Sequence, residues 1–366
     1  MQNIGIVGIG KISGIYLENI TNMFKEIQIV AVCDLVKQRA LKAQEDYNIP
    51  KVYDTMYELV EDEEIDIVLN LTRPYEHFEV SKLALEKGKN VYSEKPLGAC
   101  YEEGVKLVKL AEEKGLLIGG APDTFMGAGI QSCKKIIEDG VIGDVVGAAA
   151  FMITHGPENW HPDPDFFYQY GGGPMFDMGP YYVTSLVNLL GGVKSVTGVA
   201  RKGFDTRIAT CKEQFGKKIE VNVPTYTTGI LTFDSGVVGT LFTTFDVVYK
   251  GQSRYEIYGS EGTLIVPDPN TFGGPLYVIH RLDGEKREMP LTFAYKGNSR
   301  ALGLADMAKA LETGRPARCS YKQTLHVLEI MESFTKSSDL RQTVDLETSY
   351  KPEPAMRINP MVGILD

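Results

Sequence analysis

The sequence lacks the features that mark several special classes of protein. It has no run of 18 consecutive apolar residues, so no transmembrane helix is expected. Its N-terminus lacks the charged and apolar regions of a signal peptide. The five cysteines are scattered without a CxxC pair, and no basic stripe offsets the net charge of −10. We therefore expect a cytoplasmic protein with reduced thiols that binds neither nucleic acid nor membrane.

The composition is typical of a globular protein, with 43% hydrophobic and 23% charged residues in a chain of 366. This length favours two domains. In residues 1–122, short apolar strands alternate with helices, which predicts a Rossmann domain with a doubly wound parallel sheet. In residues 123–366, strands dominate, which predicts an α+β domain with a mostly antiparallel sheet. Its C-terminal helices are expected to pack back on the first domain.

The element bounds follow from apolar periodicity and turn residues. Strands are predicted at 3–9, 27–33, 52–54, 65–70, 90–93, 116–118, 145–154, 193–201, 223–233, 237–248, 253–258 and 263–266. Helices are predicted at 13–24, 36–47, 57–61, 76–87, 101–114, 129–138, 180–190, 299–312 and 321–336.

A glycine turn lies between the first strand and the first helix. It reads Gly8-x-Gly10-x-x-Ser13, in the context that a dinucleotide fingerprint requires. Glycines allow the backbone to approach a pyrophosphate, whose charge is favoured at the helix N-terminus. We predict that Gly8, Gly10, Lys11 and Ile12 contact a cofactor, although a simple tight turn would have the same pattern.

Asp34 follows the second strand, where a carboxylate accepts hydrogen bonds from both hydroxyls of an adenosine ribose. Its charge would repel a 2′-phosphate, which favours NAD over NADP. Lys37 and Arg39 lie close by and leave NADP open, although solvated helix charges are their more common role. Arg39 is kept among the predicted cofactor contacts.

The loop after the fourth strand passes beside the nicotinamide half of the cofactor in such folds. In this loop we predict that Thr72 and Pro74 line the cofactor and that His77 hydrogen-bonds it from the start of the next helix. Packing at the helix N-terminus is the alternative role of His77.

Glu94-Lys95-Pro96 closes the fifth strand. The carboxyl end of a parallel strand faces the crevice where such sheets bind ligands. Lys95 is therefore predicted to lie between the dinucleotide and the molecule with which it reacts.

A polar, proline-broken loop at residues 155–164 contains two of the five histidines and the single tryptophan. Such loops carry binding groups, and tryptophan offers a flat face to the C–H side of a sugar ring. We predict that His155, Glu158, Trp160 and His161 contact substrate. A metal cluster of the two histidines and the glutamate is the less favoured alternative, because the spacing matches no helical metal motif.

The glycine run at residues 171–173 leads into Asp177 and Tyr181, which are four residues apart and share a helical face if the helix has begun. A carboxylate and a phenol that converge on Lys95 form a plausible acid–base group. A neighbouring cation is expected to lower the pKa of the tyrosine. Helix capping by Asp177 and packing by Tyr181 are the alternatives.

These motifs resemble the glucose–fructose oxidoreductase / inositol dehydrogenase / MocA (Gfo/Idh/MocA) family over nearly the full length. The resemblance implies a second domain with a large open sheet that makes oligomer contacts, and a homo-oligomer, either dimer or tetramer. It implies that Lys95 contacts substrate and nicotinamide, with Glu94 and Pro122 among the cofactor contacts. An Asp-x-x-x-His pair completes the family site.

Here that pair reads Asp177-x-x-x-Tyr181, so the aspartate carries over and the histidine does not. Three proton acceptors remain open, namely Tyr181, His161 and Lys95 itself. The family's Arg-Phe after the sixth strand is also missing. Asp123, which follows Pro122 at that place, is predicted to bind a substrate hydroxyl.

The predicted function is NAD-dependent oxidation of a secondary hydroxyl of a sugar, polyol or glycoside. The loop around Trp160 resembles members that oxidise C3 of a glucosyl unit. An inositol or free-sugar dehydrogenase is the alternative, as is an oxidoreductase or glycosidase that recycles a tightly bound NAD. A regulatory protein that senses NAD is the non-enzymatic alternative.

Overall fold

The computed structural model of the protein describes residues 1–248, 254–358, 361–363 and 365. Strands and helices alternate over the first 120 residues, as predicted. The elements are β1 Gln2–Val7, α1 Ser13–Asn22, β2 Ile27–Cys33, α2 Lys37–Tyr47, β3 Lys51–Tyr53, α3 Met56–Glu61, β4 Ile67–Asn70, α4 His77–Glu86, β5 Asn90–Ser93, α5 Tyr101–Lys114 and β6 Ile118–Gly120.

The six strands form one parallel sheet in the order β3-β2-β1-β4-β5-β6. All four residues of β4 are buried, as expected when helices cover both faces of a parallel sheet. The prediction of a doubly wound Rossmann sheet is confirmed. The strand order reverses beside β1, so the crevice at its carboxyl edge lies next to the glycine turn.

The second part of the chain contains all the other strands that the structure describes. Its elements are α6 Ala128–Glu138, β7 Val145–Ile153, α7 Gly173–Asp177, α8 Gly179–Leu190, β8 Val193–Arg201, β9 Thr206–Ile208, β10 Lys218–Glu220, β11 Tyr226–Phe233, β12 Val238–Thr244, β13 Tyr255–Gly259, β14 Gly262–Ile265, β15 Leu276–His280, β16 Lys286–Met289, α9 Leu302–Thr313, α10 Tyr321–Leu340 and β17 Val344–Asp345.

Nine of these strands form a second sheet in the order β16-β15-β14-β13-β7-β12-β11-β8-β17. Only the β7–β12 pair among these neighbours is parallel, so the prediction of a large, mostly antiparallel sheet is confirmed. Helix α10 packs on one face, where a Cβ on Gly198 would lie 2.6 Å from the Phe334 ring. On the other face Val199, Ile230 and Val238 are exposed.

Helix α10 also packs on the Rossmann domain. A Cβ added at Gly104 of α5 would lie 2.9 Å from the side chains of both Leu325 and Leu328, so these leucines of α10 pack directly on the α5 backbone. Ser320, just before α10, bridges to Gly119 of β6. The C-terminal helices thus hold the two domains together beside the crevice.

The differences from the sequence prediction are local. The sixth strand begins at Ile118 rather than 116, and β9, β10, β15, β16 and β17 were not predicted. Strands such as Lys218–Glu220 and Lys286–Met289 are short and mostly exposed, so they lack the apolar run that identifies a strand. The predicted strand 253–258 begins at Ser253, which lies outside the described residues. Within the described ranges, no helix is both long and apolar enough to cross a membrane.

Candidate active site

The glycine turn after β1 brings two backbone segments into contact. Gly8 has φ +96°, and a Cβ there would lie 2.9 Å from the carbonyl carbon and oxygen of Leu71. Only glycine fits this conformation without strain. A Cβ at Gly10 would meet no atom within 4 Å, and the exposed Lys11 follows it. The open space above Gly10 lies at the N-terminus of α1, so the turn fits the pyrophosphate of a dinucleotide.

Asp34, which follows β2, accepts hydrogen bonds that connect the end of this strand to the glycine turn. Its Oδ2 accepts a hydrogen bond from the Ile9 amide at 2.7 Å, and its Oδ1 accepts one from the Val36 amide at 2.7 Å. Arg39 approaches the same carboxylate at 3.9 Å. The carboxylate therefore lies beside the glycine turn, where the predicted ribose contact requires it.

Internal polar contacts hold the loop between β4 and α4 in place. Thr72 donates to Asn70 at 2.6 Å, and the buried His77 ring lies between the carbonyl oxygens of Pro96 at 2.7 Å and Thr72 at 3.1 Å. Burial lowers the pKa of His77. Both ring nitrogens face backbone carbonyls, so the prediction that His77 hydrogen-bonds the cofactor is wrong. His77 instead ties this loop to the Glu-Lys-Pro motif, whereas Thr72 and Pro74 stay predicted contacts.

Lys95 lies at the carboxyl end of β5, within reach of α7 and α8. Its Nζ donates to the backbone oxygen of Asp177 at 2.7 Å and to Asp177 Oδ1 at 2.9 Å, and it lies 5.3 Å from the centre of the Tyr181 ring. Burial opposes the charge of Lys95, but Asp177, Tyr181 and Glu94 together raise its pKa above the ordinary value. The ion pair with Asp177 favours the charged form of Lys95, which is suited to donate a hydrogen bond, and the alternative that Lys95 is itself the base stays a prediction.

Glu94, the first residue of the Glu-Lys-Pro motif, accepts two hydrogen bonds with its carboxylate. One carboxylate oxygen accepts from the Tyr16 hydroxyl at 2.7 Å, and the other accepts from the Lys95 amide at 3.0 Å. The side chain is buried. Glu94 therefore orients the backbone of Lys95, and its predicted contact with the cofactor stays a prediction.

Tyr181 is only 6% exposed. Lys95 faces its ring at 5.3 Å, and the positive charges of Lys95 and Arg300 both act to lower the pKa of its hydroxyl. Burial raises the pKa of Tyr181, and the two cations oppose this rise without reversing it. The expectation of a lowered pKa is therefore wrong. Arg300 was missed by the sequence analysis, because nothing in the segment before α9 distinguishes it from a surface arginine.

Asp123 lies beneath the site, with 1% of its surface exposed. Its Oδ2 accepts from the Gly303 amide at 3.1 Å, and burial raises the pKa of the carboxyl to about 6. This placement corrects the prediction of direct contact with a substrate hydroxyl. Its neighbour Pro122 lies with Lys95 and Pro180 around a small cavity, so it stays a predicted contact.

The loop around Trp160 belongs to the second domain and reaches over the first. Lys11 Nζ of the glycine turn lies 4.8 Å from the centre of the Trp160 ring, and Arg73 pairs with Asp163 at 3.2 Å. Trp160 remains 57% exposed. The cofactor turn and the predicted sugar platform are thus neighbours across the crevice.

His161 lies on the inner side of this loop, against Phe166 and Phe167. Its Nδ1 lies 2.8 Å from the backbone oxygen of Asp163. Burial lowers the pKa of the imidazole, and the charge of Lys11 acts in the same direction. A neutral imidazole can accept a proton, so His161 stays a candidate.

The base of the loop is held by a buried ion cluster. Arg207 pairs with Glu158, pairs with Asp246 at 3.2 Å and donates to the backbone oxygen of His155 at 2.7 Å. The predicted substrate contact by Glu158 is therefore corrected to a structural role, whereas the exposed His155 side chain stays a prediction. In the described part of the chain, no cluster of three histidine, cysteine, aspartate or glutamate residues is suited to hold a metal.

The fold and the site together define a nicotinamide-dependent oxidoreductase. Two family models match the chain: an oxidoreductase family with an NAD-binding Rossmann fold over residues 2–120, and the GFO/IDH/MocA C-terminal domain over residues 130–265. The chain therefore belongs to the Gfo/Idh/MocA family, as the motifs indicated. The prediction of an enzyme, a dehydrogenase that acts on CH–OH groups, is confirmed with it.

Two curated relatives align with almost the whole chain at low sequence identity. A scyllo-inositol 2-dehydrogenase (NADP(+)), IolW of Bacillus subtilis (strain 168), is 22% identical and covers 94% of this chain and 96% of its own length. A myo-inositol 2-dehydrogenase of Thermotoga maritima is 23% identical over 94% of this chain and 99% of its own. A levoglucosan dehydrogenase in complex with NADH and levoglucosan superposes with a TM-score of 0.80 at 20% identity, over 94% of this chain and 99% of its own, which establishes the fold.

Proposed function

We propose that this protein is an NAD-dependent dehydrogenase that oxidises a secondary hydroxyl of a sugar, polyol or glycoside to a ketone. The observation that carries the proposal is the charged Lys95, which is held by Asp177 against Tyr181 at the carboxyl edge of the Rossmann sheet. The glycine turn and Asp34 lie at the same edge. An ammonium and a phenol there can bind one substrate oxygen from two sides.

Each residue has a distinct role in this proposal. Lys95 donates a hydrogen bond to the substrate oxygen and stabilises negative charge as it develops there. Asp177 keeps that ammonium charged and fixes its direction through contacts at 2.7 and 2.9 Å. Tyr181 exchanges the hydroxyl proton. The bound dinucleotide supplies the acceptor for the hydride.

Tyr181 and His161 are the two favoured candidates for the proton acceptor. Tyr181 packs directly against Lys95, whereas His161 lies on the loop with Trp160 and bonds to Asp163. Direct contact with Lys95 favours Tyr181, which must ionise before it accepts a proton, so we expect oxidation to become faster at alkaline pH. We expect Tyr181→Phe to lower kcat by about 10² to 10⁴, and His161→Gln to lower it less than tenfold, because the glutamine keeps a hydrogen-bonding group. The reverse order would transfer the role to His161.

We propose NAD rather than NADP as the cofactor. Asp34 projects its carboxylate beside the turn, where a 2′-phosphate would be repelled, and Arg39 lies at 3.9 Å and partly offsets that charge. Comparing kcat/KM for the two cofactors tests the choice. Asp34→Ser should shift the preference toward NADP, whereas Arg39→Gln should leave NAD activity within a few-fold.

For the substrate, we propose a ring that lies on Trp160 with a hydroxyl directed at Lys95, such as a glucosyl unit oxidised at C3. The names of the relatives support inositols and anhydrosugars as further candidates. A screen for NADH formation over hexoses, inositols, levoglucosan and aryl glucosides tests the proposal, with the oxidised carbon assigned by NMR. Turnover without added NAD would instead favour a tightly bound, recycled cofactor. No NADH with any of these classes would contradict the proposal.

We also propose that the protein is a cytoplasmic homo-oligomer, either dimer or tetramer. Val199, Ile230 and Val238 form an exposed apolar group on one face of the second sheet, and a face of this kind is typical of an interface. The five free cysteines are consistent with a reducing compartment. Light scattering after size-exclusion chromatography should show more than one chain, and Ile230→Lys should reduce the mass. A monomer at micromolar concentration would contradict this.

A further inference from the structure

The loop at residues 155–164 is held in shape by contacts within the second domain. The ring of Trp160 packs edge-on against that of Phe167, with the ring centres 6.1 Å apart. At the base of the loop, the buried Glu158 carboxylate pairs with Arg207. A loop that is anchored at its base and packed along one side presents its outer edge in a defined direction.

That outer edge contacts the Rossmann domain at two points, each time through a cation of the first domain. Lys11 Nζ of the glycine turn lies 4.8 Å from the centre of the Trp160 ring. Arg73, in the loop after β4, donates to Asp163 Oδ2 at 3.2 Å. The side chains of Arg73 and Asp163 are 54% and 37% exposed, so water competes for both partners and the pair is weak enough to open and close.

Both partners of the ion pair are oriented by their own domains. Asp163 Oδ1 accepts from Gln214 at 3.2 Å, in the segment between β9 and β10, which leaves Oδ2 for the first domain. On the other side, the Arg73 guanidinium donates to the Tyr75 hydroxyl at 2.7 Å, and the Arg73 amide donates to Glu76 at 3.1 Å. The two charged groups are therefore directed toward each other before they meet, which lowers the entropy that the contact costs.

The two contacts lie over the two halves of the predicted cofactor site. Lys11 follows Gly10, whose open side fits a pyrophosphate. Arg73 lies between Thr72 and Pro74, the predicted contacts of the nicotinamide half. A loop that contacts both places crosses the path between them, at the edge of the sheet where such folds bind dinucleotides.

We propose that residues 155–164 form an interdomain latch, in which Trp160 on Lys11 and Asp163 on Arg73 slow the release of the bound dinucleotide. The same loop carries the proposed sugar platform, so closing the latch retains the cofactor and brings that platform to the crevice in one movement. This inference rests on the proposed function, in that the ligand under the latch is a nicotinamide dinucleotide.

The first test is the rate at which NADH leaves the protein, measured by stopped flow from the fluorescence of the reduced nicotinamide while excess NAD displaces it. Asp163→Asn, which removes the charge and keeps the shape, should raise the release rate about two- to fivefold. Trp160→Leu should have an effect of similar size. The two contacts are separate, so combining the two changes should raise the rate by about tenfold.

Asp283→Asn is the matched control. Asp283 is an exposed aspartate that pairs with Arg287 at 2.5 Å, but both residues belong to the β15–β16 hairpin, so this pair connects no domains. The control variant should release NADH at the wild-type rate. Circular dichroism checks that each variant is folded.

A double-mutant cycle separates the latch from direct binding of the cofactor by Arg73. Arg73→Met alone should release NADH about as fast as Asp163→Asn, and the double variant should be no faster than either, because both changes remove one contact. A second readout needs no cofactor. Acrylamide should quench the fluorescence of Trp160, the single tryptophan, more strongly in Asp163→Asn than in the wild type or Asp283→Asn.

The proposal is overturned if Asp163→Asn and Trp160→Leu release NADH at the same rate as the wild type and the control. It is also overturned if the effects of Arg73→Met and Asp163→Asn add in full, since Arg73 would then act on the cofactor rather than on the loop. A wild type that binds neither NADH nor NADPH would contradict the proposed function together with the latch. That failure is distinguishable from normal binding with unchanged release, which overturns the latch alone.

Discussion

Replacing Asp123 by asparagine should stabilise the folded protein, and by more at neutral pH than in mild acid. Asp123 is 1% exposed, and burial raises the pKa of its carboxyl from an ordinary 3.8 to about 6. Asparagine resembles the protonated acid and still offers an oxygen to the Gly303 amide, now at 3.1 Å from Asp123 Oδ2. The variant therefore removes a charge and keeps the hydrogen bond.

The magnitude follows from the difference between the two pKa values. Because the folded-state pKa lies above that of the unfolded chain, the folded protein binds more protons between them, and stability falls as pH rises through this window. A difference of about two pH units corresponds to about 3 kcal/mol once pH exceeds the folded-state pKa. At about pH 5 the wild type has already lost about half of this free energy of unfolding. The advantage of Asp123→Asn over the wild type should thus grow by about 1.5 kcal/mol between about pH 5 and about pH 7.5.

Urea unfolding of both proteins at the two pH values measures this change in the free energy of unfolding. Asp205→Asn is the matched control, because Asp205 is exposed and pairs only with Lys202 across the surface in the described contacts. Its difference from the wild type should be nearly the same at both pH values. A pH-independent difference for Asp123→Asn would refute the reasoning, because Asp123 would then not be the buried acid that titrates in this range.

Three further predictions concern the cofactor turn and the loop above it. Binding of NADH should change the fluorescence of Trp160, the single tryptophan, because Lys11 lies against its ring, and calorimetric binding without a fluorescence change would contradict this. Gly8→Ala should weaken NAD binding about tenfold or more in calorimetry, because its Cβ would strike the Leu71 backbone and φ is positive. Gly14→Ala, whose Cβ meets nothing within 4 Å, should bind NAD normally, and equal effects would contradict the geometry. Arg207→Met should lower the free energy of unfolding by about 3 to 5 kcal/mol, because it leaves two buried carboxylates unpaired, and a loss below about 1 kcal/mol in urea would contradict that role.

The positions of Lys95, Asp177 and Tyr181 were predicted from the sequence, because each residue is placed by a local rule. A lysine at the end of a parallel strand faces the crevice, and a glycine run allows the following helix to approach closely. In the structure, Lys95 Nζ lies 2.9 Å from Asp177 Oδ1 and 5.3 Å from the centre of the Tyr181 ring. The central strands of the nine-stranded sheet were predicted for similar reasons, since they alternate apolar and polar residues between clear turns, whereas its short outer strands β15, β16 and β17 were not.

The roles of His77, Glu158 and Arg300 were not predictable in the same way. Each depends on a partner elsewhere in the sequence: the Pro96 carbonyl for His77, Arg207 for Glu158, and Asn270 for Arg300. A polar residue in a loop looks like a ligand when the sequence is read alone, and a buried partner turns it into a structural group. The pKa of Tyr181 was predicted in the wrong direction for a related reason, because burial outweighs the nearby cations.

The most direct test of the central claim is to measure turnover and cofactor binding together in Lys95→Met. The account places Lys95 on the substrate oxygen, so kcat for the best substrate found in the screen should fall by about a thousandfold or more, as for loss of a group that stabilises charge in the transition state. NAD affinity measured by calorimetry should stay within a few-fold of the wild type, and the exposed Lys42→Met on α2 should change neither quantity. If Lys95→Met instead loses NAD binding as completely as turnover, or retains most of its activity, Lys95 does not act on the substrate and the claim is wrong.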